Sequence, residues 1–258
     1  MIFNLGAGGP GFACQQALRR PRLQSFGEYL PVMDPVDRFL LDSLNINGRS
    51  PRVVCLPTAA GQEGEDSIGR WSRMGVEHFH NLGADVKALH VIDRQSAEDP
   101  RWDSDLVNAD IIYFSGGDPV YLFKTLHGSR FWRAANQAWD KGAVFVGCSA
   151  GAMILAEQVP NIRTAGLRHV DAFGILPAKT VIPHFDRMKS WAPLYMGLLR
   201  SRMKTQEYVL GIDENTALVG KLEDQWQVMG EQTVSVITRD KIDVYRSGDW
   251  LQLTAGAE

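Results

Sequence analysis

The chain has 258 residues, 45% of them hydrophobic, which is enough to bury a full core as a single large domain over residues 1–258. Its 27 Lys and Arg against 30 Asp and Glu, a formal net charge of −3, provide no basic face of the kind that nucleic acid or an anionic membrane requires. No apolar run approaches the ~20 residues of a membrane span, and Met1-Ile2-Phe3-Asn4-Leu5 lacks the basic start and long apolar stretch of a signal peptide. Three cysteines (Cys14, Cys55 and Cys148) without metal-ligand spacing read as reduced thiols. A cytoplasmic protein without cofactor or metal is expected.

Residues 1–50 read as an N-terminal strand followed by a variable loop region. The loop, residues 6–26, carries Gly6, Gly8, Gly9 and Gly11, but no Lys-Ser/Thr ending that would make it a phosphate loop. Beyond it, strand-like and helical patterns alternate. Residues 52–57 form a β-branched apolar run, 68–82 an amphipathic helix, and 85–91 and 109–114 further strands. Residues 120–126 and 131–141 follow a helical period, and 143–146 is again a strand. This β-α-β-α rhythm predicts an α/β fold: a doubly wound, mainly parallel sheet with helices on both faces, whose active site lies beyond the carboxyl ends of the strands. The tail is different. Short strands at 217–220, 225–229, 233–238, 242–245 and 250–253 predict antiparallel hairpins over residues 217–258 that close one side of the sheet. Edge strands and hydrophobic surface are compatible with a homodimer.

The most informative stretch is Val144-Phe145-Val146-Gly147-Cys148-Ser149-Ala150-Gly151-Ala152-Met153, a buried strand running through Gly-x-Ser-x-Gly into a helix. That context is a nucleophile elbow, in which a sharp strand-to-helix turn exposes one hydroxyl. Ser149 is therefore the candidate nucleophile, and the Ala150 amide at the helix start is a candidate oxyanion donor. Cys148, next to the middle of the turn, is expected to point into the core.

A serine nucleophile needs a base. Of the six histidines, His78, His80 and His90 precede the elbow as surface or packing residues, His127 ends a helix beside Gly128, and His169 lies in a polar stretch. His184 follows the apolar strand Thr180-Val181-Ile182 and so sits past a strand terminus, and the order Ser then His is that of hydrolases on parallel sheets. Ser115-Gly116-Gly117-Asp118, after Ile111-Ile112-Tyr113-Phe114, supplies a second turn at the same edge, with Gly117 N–H as the other oxyanion donor.

Phe114-Ser-Gly-Gly-Asp118, Gly147-Cys-Ser-Ala-Gly-Ala152, Ile182-Pro-His-Phe185 and Gly211-Ile-Asp-Glu-Asn-Thr-Ala217 occur in an order and at intervals that resemble the peptidase E (aspartyl dipeptidase) and cyanophycinase family of serine peptidases. The resemblance covers roughly residues 50–240 and implies a class I glutamine amidotransferase-like fold. It also implies a Ser149 nucleophile, a His184 base, an oxyanion hole of Gly117 and Ala150, and Asp118 near the substrate. No cofactor is implied; the partner is a small peptide or amide substrate with an Asp-linked scissile bond.

The chain departs from the peptidase E branch at the third triad member. That branch carries an acidic residue soon after an Arg-Thr pair between Ser and His, whereas here Arg163-Thr164 is followed by Ala165. Asp171, Asp186 and Glu214 are the available carboxylates, and the sequence does not separate them. An acidic substrate calls for a guanidinium; Arg187, three residues after His184, is the first candidate, ahead of Arg163 and Arg168. The arginine cluster that the cyanophycinase branch has after its histidine is mostly missing, because Met188-Lys189-Ser190-Trp191 follow Arg187. Hydrolysis of β-Asp-Arg units, a non-peptide amidohydrolase or esterase activity, and a catalytically impaired binding protein remain alternatives. A class I amidotransferase-like domain is disfavoured because such domains place cysteine at the elbow.

Overall fold

The computed structural model of the chain describes residues 11–16, 31–44, 46, 48–160, 169–188, 193–221 and 225–253. The apolar run Ile-Ile-Tyr-Phe at 111–114 is buried at every position, as is Val144–Cys148. Successive strand side chains point to opposite faces, so unbroken burial means that both faces of the sheet are covered there. The strands in chain order are β1 (Gly11–Gln16), β2 (Arg52–Leu56), β3 (Asp85–Ala88), β4 (Ile111–Phe114), β5 (Val144–Cys148), β6 (Gln158–Pro160) and β7 (His169–Asp171). They continue with β8 (Thr180–Pro183), β9 (Tyr208–Ile212), β10 (Thr216–Lys221), β11 (Gln225–Gly230), β12 (Thr233–Thr238), β13 (Ile242–Arg246) and β14 (Trp250–Gln252).

Eight of these strands form the main sheet in the order β14-β11-β10-β1-β5-β4-β2-β3. From β1 to β3 all neighbours are parallel, while β10, β11 and β14 add antiparallel strands on the other side of β1. The helices that join or follow the strands are α1 (Asp34–Asp42), α2 (Glu65–Asn81), α3 (Arg94–Ala97), α4 (Asp103–Val107), α5 (Pro119–Leu126), α6 (Arg130–Asp140), α7 (Ala150–Met153), α8 (Phe185–Met188) and α9 (Pro193–Arg202). The core beneath the site is aromatic. Phe114 meets Phe145 edge to face at 5.5 Å between centroids, and Trp132 of α6 stacks on Phe173 at 3.5 Å.

The parallel sheet, the helices and the antiparallel C-terminal strands agree with the sequence pattern, but two details do not. Gly11–Gln16, expected in a loop, is a strand placed between β5 and β10. Its Gly-Phe-Ala-Cys-Gln-Gln sequence carries little strand propensity, and pairing on both sides overrides it. The glycines of residues 6–10 lie outside the described residues. The C-terminal strands do not all close one side of one sheet. β10, β11 and β14 extend the main sheet, whereas β12 and β13 join β9 and β8 in a second sheet of order β13-β12-β9-β8. β8 and β9 are parallel in that sheet, so the strand that leads into His184 does not belong to the main sheet. His78, expected as a surface or packing residue, is of the packing kind: it is buried on α2, with its Nε2 2.8 Å from Asp37 Oδ2 on α1.

Candidate active site

The elbow follows from close packing of backbone. A Cβ on Gly147 would run into the Gly151 carbonyl, and one on Gly151 into the Phe114 carbonyl, so strand β5, helix α7 and strand β4 approach each other only because both positions are glycine. Between them Ser149 is held at φ 51°, ψ −109°, a conformation that costs a non-glycine residue on the order of 1–3 kcal/mol. Among the described residues, the other non-glycine residues with positive φ are His184 (φ 51°) and Asn215 (φ 55°). One is the predicted base, and the other adjoins Glu214. His and Asn adopt positive φ more readily than other side chains, so the strain lies at Ser149, and it points to an elbow whose geometry is imposed by its surroundings.

The side chains line up accordingly. Ser149 Oγ lies 3.5 Å from His184 Nε2, and His184 Nδ1 lies 3.1 Å from Glu214 Oε1. The first distance is longer than a formed hydroxyl hydrogen bond, and contacts of this kind tighten when substrate binds. Glu214, 5% exposed, reaches the site from the loop between β9 and β10. That loop is anchored on the β11–β12 turn: Gln232 Nε2 donates to Glu214 O at 2.8 Å, Asn215 Nδ2 to Glu231 Oε2 at 3.0 Å, and Thr233 N and Oγ1 to Asp213 Oδ2. His184 is fixed by its neighbour Phe185, whose ring covers Gly211 so closely that a Cβ there would sit 2.6 Å from it. Two of the four motif blocks therefore touch each other.

The three carboxylates left open by the sequence take different places. Glu214 is on the imidazole. Asp186 accepts the Glu214 N–H through Oδ1 at 2.9 Å, so it braces the loop. Asp171 is exposed on β7 opposite Gln158 and is not brought to His184. Arg187 points its guanidinium at Glu214, with Nε at 3.3 Å and Nη2 at 3.0 Å from Oε2, while 59% of its side chain stays exposed. Arg163 and Arg168 lie outside the described residues.

At the neighbouring strand end, Gly117 has φ 141°, and a Cβ there would collide with the Ala59 carbonyl. This is a left-handed, closely packed position that favours glycine. Asp118 N donates to Ala59 O at 2.8 Å, and the Asp118 carboxylate caps α5 by accepting from Val120 N (2.9 Å) and Tyr121 N (3.0 Å). Asp118, expected near substrate, thus has a helix to cap. Ala150 N–H, at the first position of α7, has no intrahelical acceptor, which leaves it available to a developing oxyanion. Sequence reading missed Trp71 of α2. A Cβ built on Gly116 would lie 3.1 Å from Trp71 Cη2 and 3.3 Å from Ser149 Cβ, so indole, turn and nucleophile meet at one point. Nothing in the helical stripe around Trp71 signals this, because the contact depends on where α2 is docked.

Cys55 and Cys148 stand apart from this chemistry. Cys148 is buried, as expected. Burial, and secondarily the charge of Asp37, push the Cys55 thiol well above its ordinary range, so it stays an unreactive thiol. Among the described residues no cluster of three or more His, Cys, Asp and Glu is placed to hold a metal, and no helix is long and apolar enough to cross a membrane.

A strained serine at a strand-to-helix turn, followed by an imidazole and a buried carboxylate in series, is the arrangement of a hydrolase with a nucleophile elbow. The chain belongs to peptidase family S51, which it matches over residues 25–226. It is 27% identical over 196 residues to a cyanophycinase of Synechococcus elongatus, a match that covers 72% of this chain and 58% of that protein. It is 28% identical over 193 residues to the uncharacterized peptidase YgaJ of Bacillus subtilis, covering 72% and 77%. The crystal structure of a peptidase from an acI-B1 Actinobacterium superposes with a TM-score of 0.80 at 32% identity, covering 97% of both chains.

Proposed function

We propose that this chain is a serine peptidase that cleaves small peptides or amides with an acidic, Asp-linked residue at the scissile bond. The observation that carries the reading is the series from Ser149 Oγ through His184 to buried Glu214, at 3.5 and 3.1 Å. His184 Nε2 takes the Ser149 proton as Oγ attacks the carbonyl carbon, and the N–H groups of Gly117 and Ala150 receive the oxyanion. Glu214 orients the imidazole and stabilises its cation, which then protonates the leaving amine. Water, deprotonated by the same imidazole, releases the acyl group from Ser149. The Asp-linked substrate class is what the resemblance to the peptidase E and cyanophycinase family implies.

One observation favours a second reading within the same chemistry. The carboxylate on His184 comes from residue 214, after the histidine, instead of from the loop between Ser and His as in the peptidase E branch. That position departs from the peptidase E branch without pointing to another substrate; it is the similarity to a cyanophycinase that supports hydrolysis of β-Asp-Arg units, and the missing arginine cluster after His184 weighs against it.

The test is hydrolysis of a panel of Asp-X dipeptides, isoaspartyl dipeptides, β-Asp-Arg and an acetyl ester by the unmodified chain and by Ser149→Ala, with a phosphonate serine probe alongside. Cleavage of an Asp-linked substrate that disappears in Ser149→Ala, with probe on Ser149, supports the proposal. Turnover confined to the ester replaces it with an esterase, and no labelling and no turnover replaces it with a binding protein.

A further inference from the structure

We infer that Arg187 is a positioning residue of the catalytic series: it locks the Glu214 carboxylate against His184 and is not the cation that reads an acidic substrate. The inference rests on the Ser149–His184–Glu214 reading above and deepens it. Glu214 has two carboxylate oxygens in a buried place. Oε1 is on His184 Nδ1 at 3.1 Å, and Oε2 receives both Nε (3.3 Å) and Nη2 (3.0 Å) of Arg187. A carboxylate held at one oxygen alone is free to turn about its last torsion, which has a broad minimum. A second, charge-assisted partner on the other oxygen fixes its plane and offsets the cost of burying the charge.

The same turn supplies the other half of the clamp. Arg187 N donates to His184 O at 3.0 Å, so base and guanidinium belong to one tight turn. Asp186, between them in sequence, holds Glu214 by its backbone N–H at 2.9 Å and faces Arg187 Nε at 3.6 Å. Glu214 is therefore gripped at its amide and at its carboxylate by two consecutive residues that move with His184. The guanidinium edge formed by Nε and Nη2, one of those suited to bidentate carboxylate binding, is already spent on Glu214. A substrate carboxylate that took this edge would strip the imidazole of its support.

The experiment compares the unmodified chain with Arg187→Gln, Arg187→Lys, Glu214→Gln and the Arg187→Gln/Glu214→Gln double variant. Two quantities are read: the second-order rate of phosphonate labelling at Ser149, and kcat and KM on Asp-X and Asn-X dipeptides. A positioning role predicts that Arg187→Gln lowers labelling and kcat by about 10- to 100-fold. KM and the preference for Asp over Asn stay unchanged, and Arg187→Lys recovers part of the rate. The double variant is no slower than Glu214→Gln alone, because Arg187 acts through Glu214. A raised KM with a lost Asp preference, or losses that multiply in the double variant, overturns the inference. Glu214→Gln at full rate, or absence of labelling in the unmodified chain, overturns the underlying reading instead, and the inference falls with it.

Discussion

Ser149 and His184 share the same left-handed backbone value, φ 51° at each, and their side chains meet at 3.5 Å although they lie 35 positions apart in sequence. Histidine adopts positive φ more readily than most side chains, but Ser149 at ψ −109° lies outside the regions a non-glycine residue favours, so the fold holds the serine in place against a local preference. At Ser149 this strain can be measured separately from chemistry. Ser149→Ala and Ser149→Gly both lose the hydroxyl and with it all acyl-enzyme turnover, but only glycine is at ease at φ 51°. Ser149→Gly is expected to be more stable than Ser149→Ala by about 1 kcal/mol, a rise of roughly 2–4 °C in Tm for a chain of this size. Equal melting temperatures for the two variants would remove strain from the account of the elbow.

The turn at Gly116 and Gly117 makes a contrast between neighbours. Gly117→Ala places a Cβ against the Ala59 carbonyl at φ 141°, so the backbone must move and the amide at this turn moves with it. The expected result is a loss of about 10²–10³ in kcat, the usual effect of removing one oxyanion donor, with about 1–3 kcal/mol of stability. The nearest neighbours of a Cβ in Gly116→Ala are Trp71 at 3.1 Å and Ser149 Cβ at 3.3 Å, with no backbone atom among them. A shift of a few tenths of an ångström in the indole accommodates it, and its effect on stability is the smaller of the two. Denaturant midpoints and initial rates of both variants check the order; a milder Gly117→Ala contradicts it.

Asp118 tests a cap against a substrate contact. Its carboxylate accepts the N–H groups of Val120 and Tyr121 at the start of α5. Asp118→Ala should therefore lose about 1 kcal/mol of stability, while Asp118→Asn, a comparable cap, loses little. If KM on Asp-X substrates rises in Asp118→Asn without any change in melting, Asp118 reads substrate in addition to capping.

The sequence was most legible where backbone geometry demands one residue type. The elbow, the Gly-Gly-Asp turn and the Pro-His-Phe block each state a local structure, and the strands feeding them are apolar enough to be read directly. The identity of the carboxylate on His184 was not legible. Asp171, Asp186 and Glu214 lie 13, 2 and 30 residues from His184 in sequence, and which of them faces Nδ1 depends on how β9 pairs with β8 and on the β11–β12 turn that anchors Asp213–Thr216. β1 was hidden for a related reason: Gly-Phe-Ala-Cys-Gln-Gln becomes a strand because β5 and β10 flank it, not because of its own preference. Trp71 was invisible because its meeting with Gly116 is tertiary.

A last expectation concerns pH and lies away from the site. His169, at the start of β7, has its imidazole pushed below its ordinary range by partial burial and then by the positive charges of Lys179 and Arg202. A folded-state value below the unfolded one means that the unfolded chain binds the proton more readily, so stability rises with pH across that interval. The contribution is complete above the unfolded value of about 6.5 and is lost as pH falls from there through the folded value. His169→Gln removes this dependence. Between pH 7.5 and 5.5 its Tm should therefore fall less than that of the unmodified chain, while the two agree at the upper end. The ring is at the surface, where solvent screens such interactions, so the difference in slope is small and is best read from paired melts in one buffer series. An identical slope in both proteins would show that neither burial nor the charges of Lys179 and Arg202 depress His169 in solution.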